Sequence, residues 1–195
     1  MSESIVIAET SNGKVSPVTG ELVSAAIKLG TSPTLVIPCV DASIADNSGY
    51  EGCSKVLAVK GECFANYDSA SWAQAIDAAA PNGIVITAAT PQSKDLAARI
   101  ASRRDISVVQ DVVSIDGNNL TSPIYSGKAM QTVSIGGNVA ISVRANVFAS
   151  ASPANVEVSV VDQSGDIATA VKDVIARASA RLDVSEANII ISGGR

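Results

Sequence analysis

The sequence predicts an α/β domain in which a mainly parallel sheet carries helices on both faces and a small antiparallel annex follows. Three observations carry this expectation. Strand-like and helix-like runs alternate four times over residues 4–115, the pattern of strands joined by helical crossovers. Hydrophobic residues are 47% of the 195 but aromatics only 3%, so Ala, Val and Ile must build the core, as in sheets covered by helices. Beyond Ile115, turn-forming and alternating segments replace the helical ones.

Residues 4–9 (SIVIAE) form a short apolar run suited to a strand buried on both faces. A turn at Asn12-Gly13-Lys14 leads to a helix with Ser16 as N-cap and Pro17 at its first position. Its Val18, Leu22, Ala25, Ala26 and Leu29 share one face, and Gly30 closes it. Strands follow at 34–40 and 55–60, with a small polar segment between them that has room for a short helix. A second helix over 69–80 carries Trp72, Ala75, Ile76 and Ala79 on one side and stops at Pro81-Asn82-Gly83. Residues 83–89 are the next strand. Thr90 and Pro91 cap and open a third helix over 92–104, and 107–115 is again a strand.

In the annex, Gly136-Gly137-Asn138 reads as a hairpin turn joining 130–135 to 139–144, and 155–161 continues the antiparallel pattern. A last helix over 167–181 places Ile167, Val171, Val174, Ile175 and Ala178 on one stripe. The chain then reaches Ile189-Ile190-Ile191, which breaks into Ser192-Gly193-Gly194-Arg195. This reads as a strand opening a phosphate loop, because adjacent glycines let backbone N–H groups approach an anion. The expected boundary of the α/β domain is residue 183.

Composition excludes several classes. A net charge of −5 disfavours nucleic-acid and anionic-membrane partners, which need a basic face. The sequence has no histidine, which rules out Ser-His-Asp and Cys-His catalysis within it. Cys39, Cys53 and Cys63 have neither disulfide nor zinc spacing and read as buried thiols of a reducing compartment. No secretory leader or membrane-length apolar run is legible, so a soluble, intracellular protein is expected. No metal site and no catalytic residue is indicated.

Other motifs have plain readings. Gly127-Lys128 lacks the glycine five residues earlier and the Ser or Thr after it that a Walker loop needs; Ser122 and Ala129 stand there, so a bend beside an exposed lysine is expected. No G-x-G-x-x-G follows the first strand, and Glu9 offers a carboxylate where a phosphate would sit. Asp95 and Arg99, four apart on a helix, read as a surface ion pair. Arg144 reads as a solvated or interface side chain.

Several strings together carry a resemblance. They are the SIVIAE opening, P-V-T-x-E-L-x-x-A-A-x-x-L-G from Pro17, K-D-L-A-A-R-I-A from Lys94, and Gln110-Asp111-Val112. To these add P-I-Y-S-G-K-A from Pro123, S-V-R from Ser142 with Phe148, and the terminal I-S-G-G-R. In this order and spacing the chain resembles the N-terminal domain of electron transfer flavoprotein alpha subunits. The family's usual arginine before the P-I-Y stretch is replaced here by Ser122. The resemblance implies a Rossmann-like sheet of the adenine nucleotide hydrolase type and a scaffold that packs against a beta subunit. In full form the protein would carry electrons from flavin dehydrogenases to a quinone reductase and would not itself be an enzyme. Its expected compartment is the cytoplasm, with the mitochondrial matrix as alternative.

The resemblance also implies that residues 184–195 are a linker and the first strand and loop of an FAD-binding domain. Ser192, Gly193, Gly194 and Arg195 would then touch FAD, with the Arg195 guanidinium near the pyrophosphate. A terminal carboxylate there would repel that pyrophosphate, so this chain is not expected to hold FAD stably. Two other readings stand beside it. One is a stand-alone adenine-nucleotide domain using the sheet edge near residues 9–12 and 88–90, and the other is a pure interaction module.

Overall fold

The computed structural model describes residues 3–11, 13–166 and 189–194. Strand β1 (Ser4–Ile7) is buried along its whole length, because both of its faces are covered. Ile5 and Ile7 point to one face of the sheet and Val6 to the other, as strand alternation requires. After a two-residue ladder of β2 (Thr10–Ser11) and β3 (Lys14–Val15), helix α1 (Val18–Lys28) buries Leu22, Val23, Ala25 and Ala26 on the Val6 side. β4 (Thr34–Cys39) and β5 (Lys55–Lys60) follow, with short 3₁₀ turns at Ala42–Ala45 and Glu62–Phe64. Helices α2 (Ser69–Ala79) and α3 (Pro91–Arg104), flanking β6 (Ile84–Ala88), bury Trp72, Ile76, Leu96 and Ile100 on the Ile5 side. Helices therefore cover both faces, as expected.

Helix starts follow their capping chemistry. Asp68 Oδ1 accepts from the N–H groups of Ala70 and Ser71 at 3.1 and 2.9 Å, and Thr90 Oγ1 accepts from Ser93 N–H at 3.2 Å. Pro91 occupies the first turn of α3, where no N–H is needed. For α1 the expected register moves by one residue: Pro17, not Ser16, precedes the first helical residue, and no side chain caps it. Thr19 N–H instead reaches the Ser16 carbonyl at 3.0 Å.

The annex differs from the expected hairpin. β7 (Ser107–Val112) leads into a three-stranded antiparallel sheet of β8 (Ser114–Asp116), β9 (Asn119–Ile124) and β10 (Ala129–Ser134). β10 pairs with β9, not with the segment after the Gly-Gly-Asn turn. That segment, β11 (Val139–Val143), enters the main sheet between β6 and β7, parallel to both. The physical reason lies in its composition: all five residues of β11 are buried, which suits a central parallel strand, whereas β10 is largely exposed. The expected antiparallel continuation over 155–161 is also corrected. β12 (Val158–Asp162) lies parallel to β5 at the far edge of the main sheet.

The resulting seven-stranded parallel sheet has the order β12-β5-β4-β1-β6-β11-β7. Between β11 and β12 the chain runs back over α1, held by Ala151 N–H to the Gly20 carbonyl (3.0 Å) and Ala154 N–H to the Gly49 carbonyl (2.9 Å). The helix expected over 167–181 lies outside the described residues, and none of the described helices is long and apolar enough to cross a membrane.

Candidate functional site

Strand order places the site. From β1 the chain steps to β4 and β5 on one side, then returns to β6 on the other, so the carboxyl ends of β1 and β6 diverge at a topological switch point. In open parallel sheets ligands bind in that crevice. Here it opens into a cavity of about 560 Å³ lined by Glu9, Ser16, Thr90, Asp111 and Arg144 among others.

Two carboxylates organise its walls. Glu9, just past β1, accepts hydrogen bonds on Oε1 from the hydroxyls of Thr90 and Ser93, the latter at 2.8 Å. Thr90 and Ser93 belong to the first turn of α3, where N–H groups and the helix dipole favour a negative charge. Asp111, at the end of β7, is held by Lys94 of α3, whose Nζ donates to both carboxylate oxygens at 2.8 Å. Arg144, just past β11, adds Nε at 3.5 Å.

Asp111 has φ 57°, a left-handed conformation that short polar residues tolerate better than most. Its N–H donates to the buried Ser142 hydroxyl at 3.0 Å, where the β11–β7 register shifts between Ile141 and Val143. Burial pushes the Asp111 carboxyl up, but the hydrogen bond and charge of Lys94, with those of Arg144, outweigh it and hold the group below the ordinary carboxylate value.

A second cavity, of about 490 Å³, lies at the end of β4 and is lined by Thr10, Cys39, Asp41, Tyr67, Trp72 and Gln92 among others. Hydrogen bonds from Ser43 hold the Asp41 carboxyl low. Burial, reinforced by the Asp41 charge, pushes the Cys39 thiol up to about 11, so it is protonated and unreactive at neutral pH. Burial also raises Cys53 and Cys63. Cys39 and Cys63 are buried as expected, and Cys53 is half-buried.

The residues predicted for cofactor contact stand apart from both cavities. Ser192, Gly193 and Gly194 are exposed, and a Cβ on either glycine would meet nothing within 4 Å. Ile189, Ile190 and Ile191 are 82%, 60% and 94% exposed, and the expected strand is not formed. A strand is held by pairing, and no described strand pairs with this segment. Arg195 lies outside the described residues. Gly127, at φ 83°, forms the expected bend beside exposed Lys128, and Asp95 and Arg99 form the expected exposed ion pair at 3.5 Å.

Sequence reasoning marked Glu9 as an acid in a phosphate position and noted the sheet edge, but it did not join Glu9 to Ser93 or Lys94 to Asp111. These partners lie 84 and 17 residues apart, and only the parallel topology brings them together.

The fold and its crevice define a Rossmann-like α/β domain of nucleotide-binding topology whose switch point is lined with carboxylates already bound to the chain's own donors. Among known proteins, the electron transfer flavoprotein domain matches residues 4–166, and the chain belongs to that family. It is 28% identical to an electron transfer flavoprotein subunit alpha of Bacillus subtilis (strain 168), with 98% of this chain and 63% of that protein covered. A subunit alpha of Syntrophomonas wolfei is 28% identical, with 97% and 64% covered. A mitochondrial subunit alpha of Arabidopsis thaliana is 26% identical, with 98% and 59% covered. The chain thus spans somewhat under two thirds of the length of these relatives.

Proposed function

We propose that this chain forms the N-terminal scaffold and partner-binding domain of an electron transfer flavoprotein alpha subunit. The observation that carries the reading is the family match over residues 4–166, together with likeness to alpha subunits along 97–98% of the chain but only 63–64% of their length in the two bacterial relatives. In the full protein, FAD and a beta subunit complete an electron carrier, not an enzyme, that takes electrons from flavin dehydrogenases and delivers them to a quinone reductase. The working compartment is the cytoplasm, or the mitochondrial matrix in an organellar form.

The parallel sheet supplies the rigid platform, and exposed Tyr125 and Met130 in the annex supply apolar surface suited to a protein partner. Ser192, Gly193, Gly194 and Arg195 would approach the FAD pyrophosphate only once the flavin domain is present, and the chain alone does not hold FAD stably. Co-expression with a beta subunit tests the reading by size-exclusion chromatography and visible absorbance. Co-elution with beta, and a colourless chain when purified alone, are expected. Stoichiometric flavin absorbance in the isolated chain would overturn the assignment of FAD binding elsewhere, and failure to co-elute would overturn the partner role.

A further inference from the structure

We propose that the switch point is a self-liganded anion site: Glu9 and Asp111 occupy the positions that ligand phosphates would take and close the cavity to phosphorylated ligands. Four side chains at the crevice could hold an anion, namely Thr90, Ser93, Lys94 and Arg144. Each already donates to a carboxylate of the chain. The hydroxyls of Thr90 and Ser93 both point to Glu9 Oε1, the latter at 2.8 Å. Lys94 Nζ bridges the two oxygens of Asp111 at 2.8 Å, and Arg144 Nε stands 3.5 Å from one of them.

Two separate arrangements therefore do the same thing. Glu9 engages the first turn of a helix and Asp111 is shared by two cations, and both carboxylates line one cavity. At about 560 Å³ that cavity is of a size that takes small-molecule ligands, so the exclusion rests on donors already engaged and not on space. An entering phosphate would meet two carboxylates and donors already directed at them, with only the outer guanidinium nitrogens of half-exposed Arg144 not turned to a carboxylate of the chain. The ligand class admitted is uncharged or cationic. This separates the chain from the adenine-nucleotide reading that its topology invites, and it does not depend on the electron-transfer assignment.

The test removes the internal anions while keeping their shapes. The double variant Glu9→Gln/Asp111→Asn retains side-chain oxygens as acceptors, and Asn tolerates the left-handed backbone at 111. Thermal unfolding of the chain is compared in inorganic phosphate and in chloride at equal ionic strength. The wild type serves as reference, because phosphate stabilises proteins generally. The difference should be unchanged in the wild type from that general effect, and larger in the double variant. A dissociation constant of about 10 mM would raise the midpoint by roughly 2–4 °C in about 50 mM phosphate.

Glu9→Gln alone, which leaves the Lys94–Asp111–Arg144 cluster intact, should show a smaller rise and keeps the test open should the double variant fail to fold. A wild type that binds inorganic phosphate by calorimetry would overturn the proposal. So would folded variants whose phosphate response equals that of the wild type.

Discussion

The crevice at the carboxyl ends of β1 and β6 and the segment over 189–194 are both places where sequence chemistry suggests a phosphate, and they differ in what surrounds them. At the crevice every charged group is fixed: Glu9 by two hydroxyls, Asp111 by a lysine, an arginine and a serine-bound backbone. At 193 and 194 the glycines face open space. Phosphate chemistry belongs to an assembled cradle of N–H groups, and a glycine pair supplies only the freedom to form one. The crevice has side-chain donors in place of such a cradle and engages them with its own carboxylates. The terminal segment has the glycines, with no cradle among the described residues.

The largest effect expected from this contrast comes from a glycine that does have neighbours. Gly61 follows β5 at the same carboxyl edge, and a Cβ there would lie 2.2 Å from the Gln163 carbonyl oxygen beyond β12. Its φ of −176° is open to any residue, so the cost of Gly61→Ala is steric alone. Because the obstacle is backbone, the end of β12 must shift. A loss of about 3 kcal/mol is expected from urea unfolding, at the upper end of overpacking effects. An unchanged urea midpoint would show that the β5 and β12 ends are not held together as tightly as the contact requires.

Next comes Asp111→Ala, which strands Lys94 and Arg144 and puts Ala at φ 57°. With Lys94 and Asp111 side chains both 27% exposed, solvent compensates only in part, and a loss of about 2 kcal/mol at pH 7 is expected. The sign of its pH dependence follows from the depressed carboxyl. The folded-state value lies below the unfolded one, near 3.9, so the stabilisation is present above that pH and is lost as pH falls through the folded value. The gap between wild type and variant in urea unfolding should therefore narrow below about pH 4. A gap constant from pH 7 to pH 3 would mean that the carboxylate charge contributes nothing.

Why the sheet was legible and its last strands were not follows from where the information sits. β1, β4, β5 and β6 are short apolar runs buried at their centres, and helices with visible faces and stops separate β1 from β4 and β5 from β6. Burial and period are local properties, so the sequence displays them. Partner choice is not local. Gly136-Gly137-Asn138 has the residues of a hairpin turn, yet β11 joins β6 and β7, where all five of its residues, Ser142 included, are covered on both sides. The unbroken burial of β11 was the signal that outweighed the turn. Likewise Glu9 was recognisable as an acid at a phosphate position, while the role of Asp111 required knowing that β7 ends beside α3. Asp111 carries no local mark of its left-handed backbone beyond being an aspartate, one of the few residues that tolerates it.

The smallest effect bears most directly on the terminal segment. Gly193→Ala and Gly194→Ala should each leave the stability of this chain unchanged within about 0.5 kcal/mol, a midpoint shift of roughly 1–2 °C at most by thermal unfolding. Neither glycine has a positive φ or a neighbour that a methyl group would strike. A marked loss would mean that the segment packs against the domain, and the contrast with Gly61 would collapse. An unchanged midpoint would leave these glycines with no structural duty within the α/β domain, so that any requirement for them in a flavin-loaded alpha subunit would lie in the flavin domain or in the pyrophosphate they are proposed to approach. The same substitution is then silent in one context and costly in the other, which separates a role beyond the α/β domain from a role in folding it.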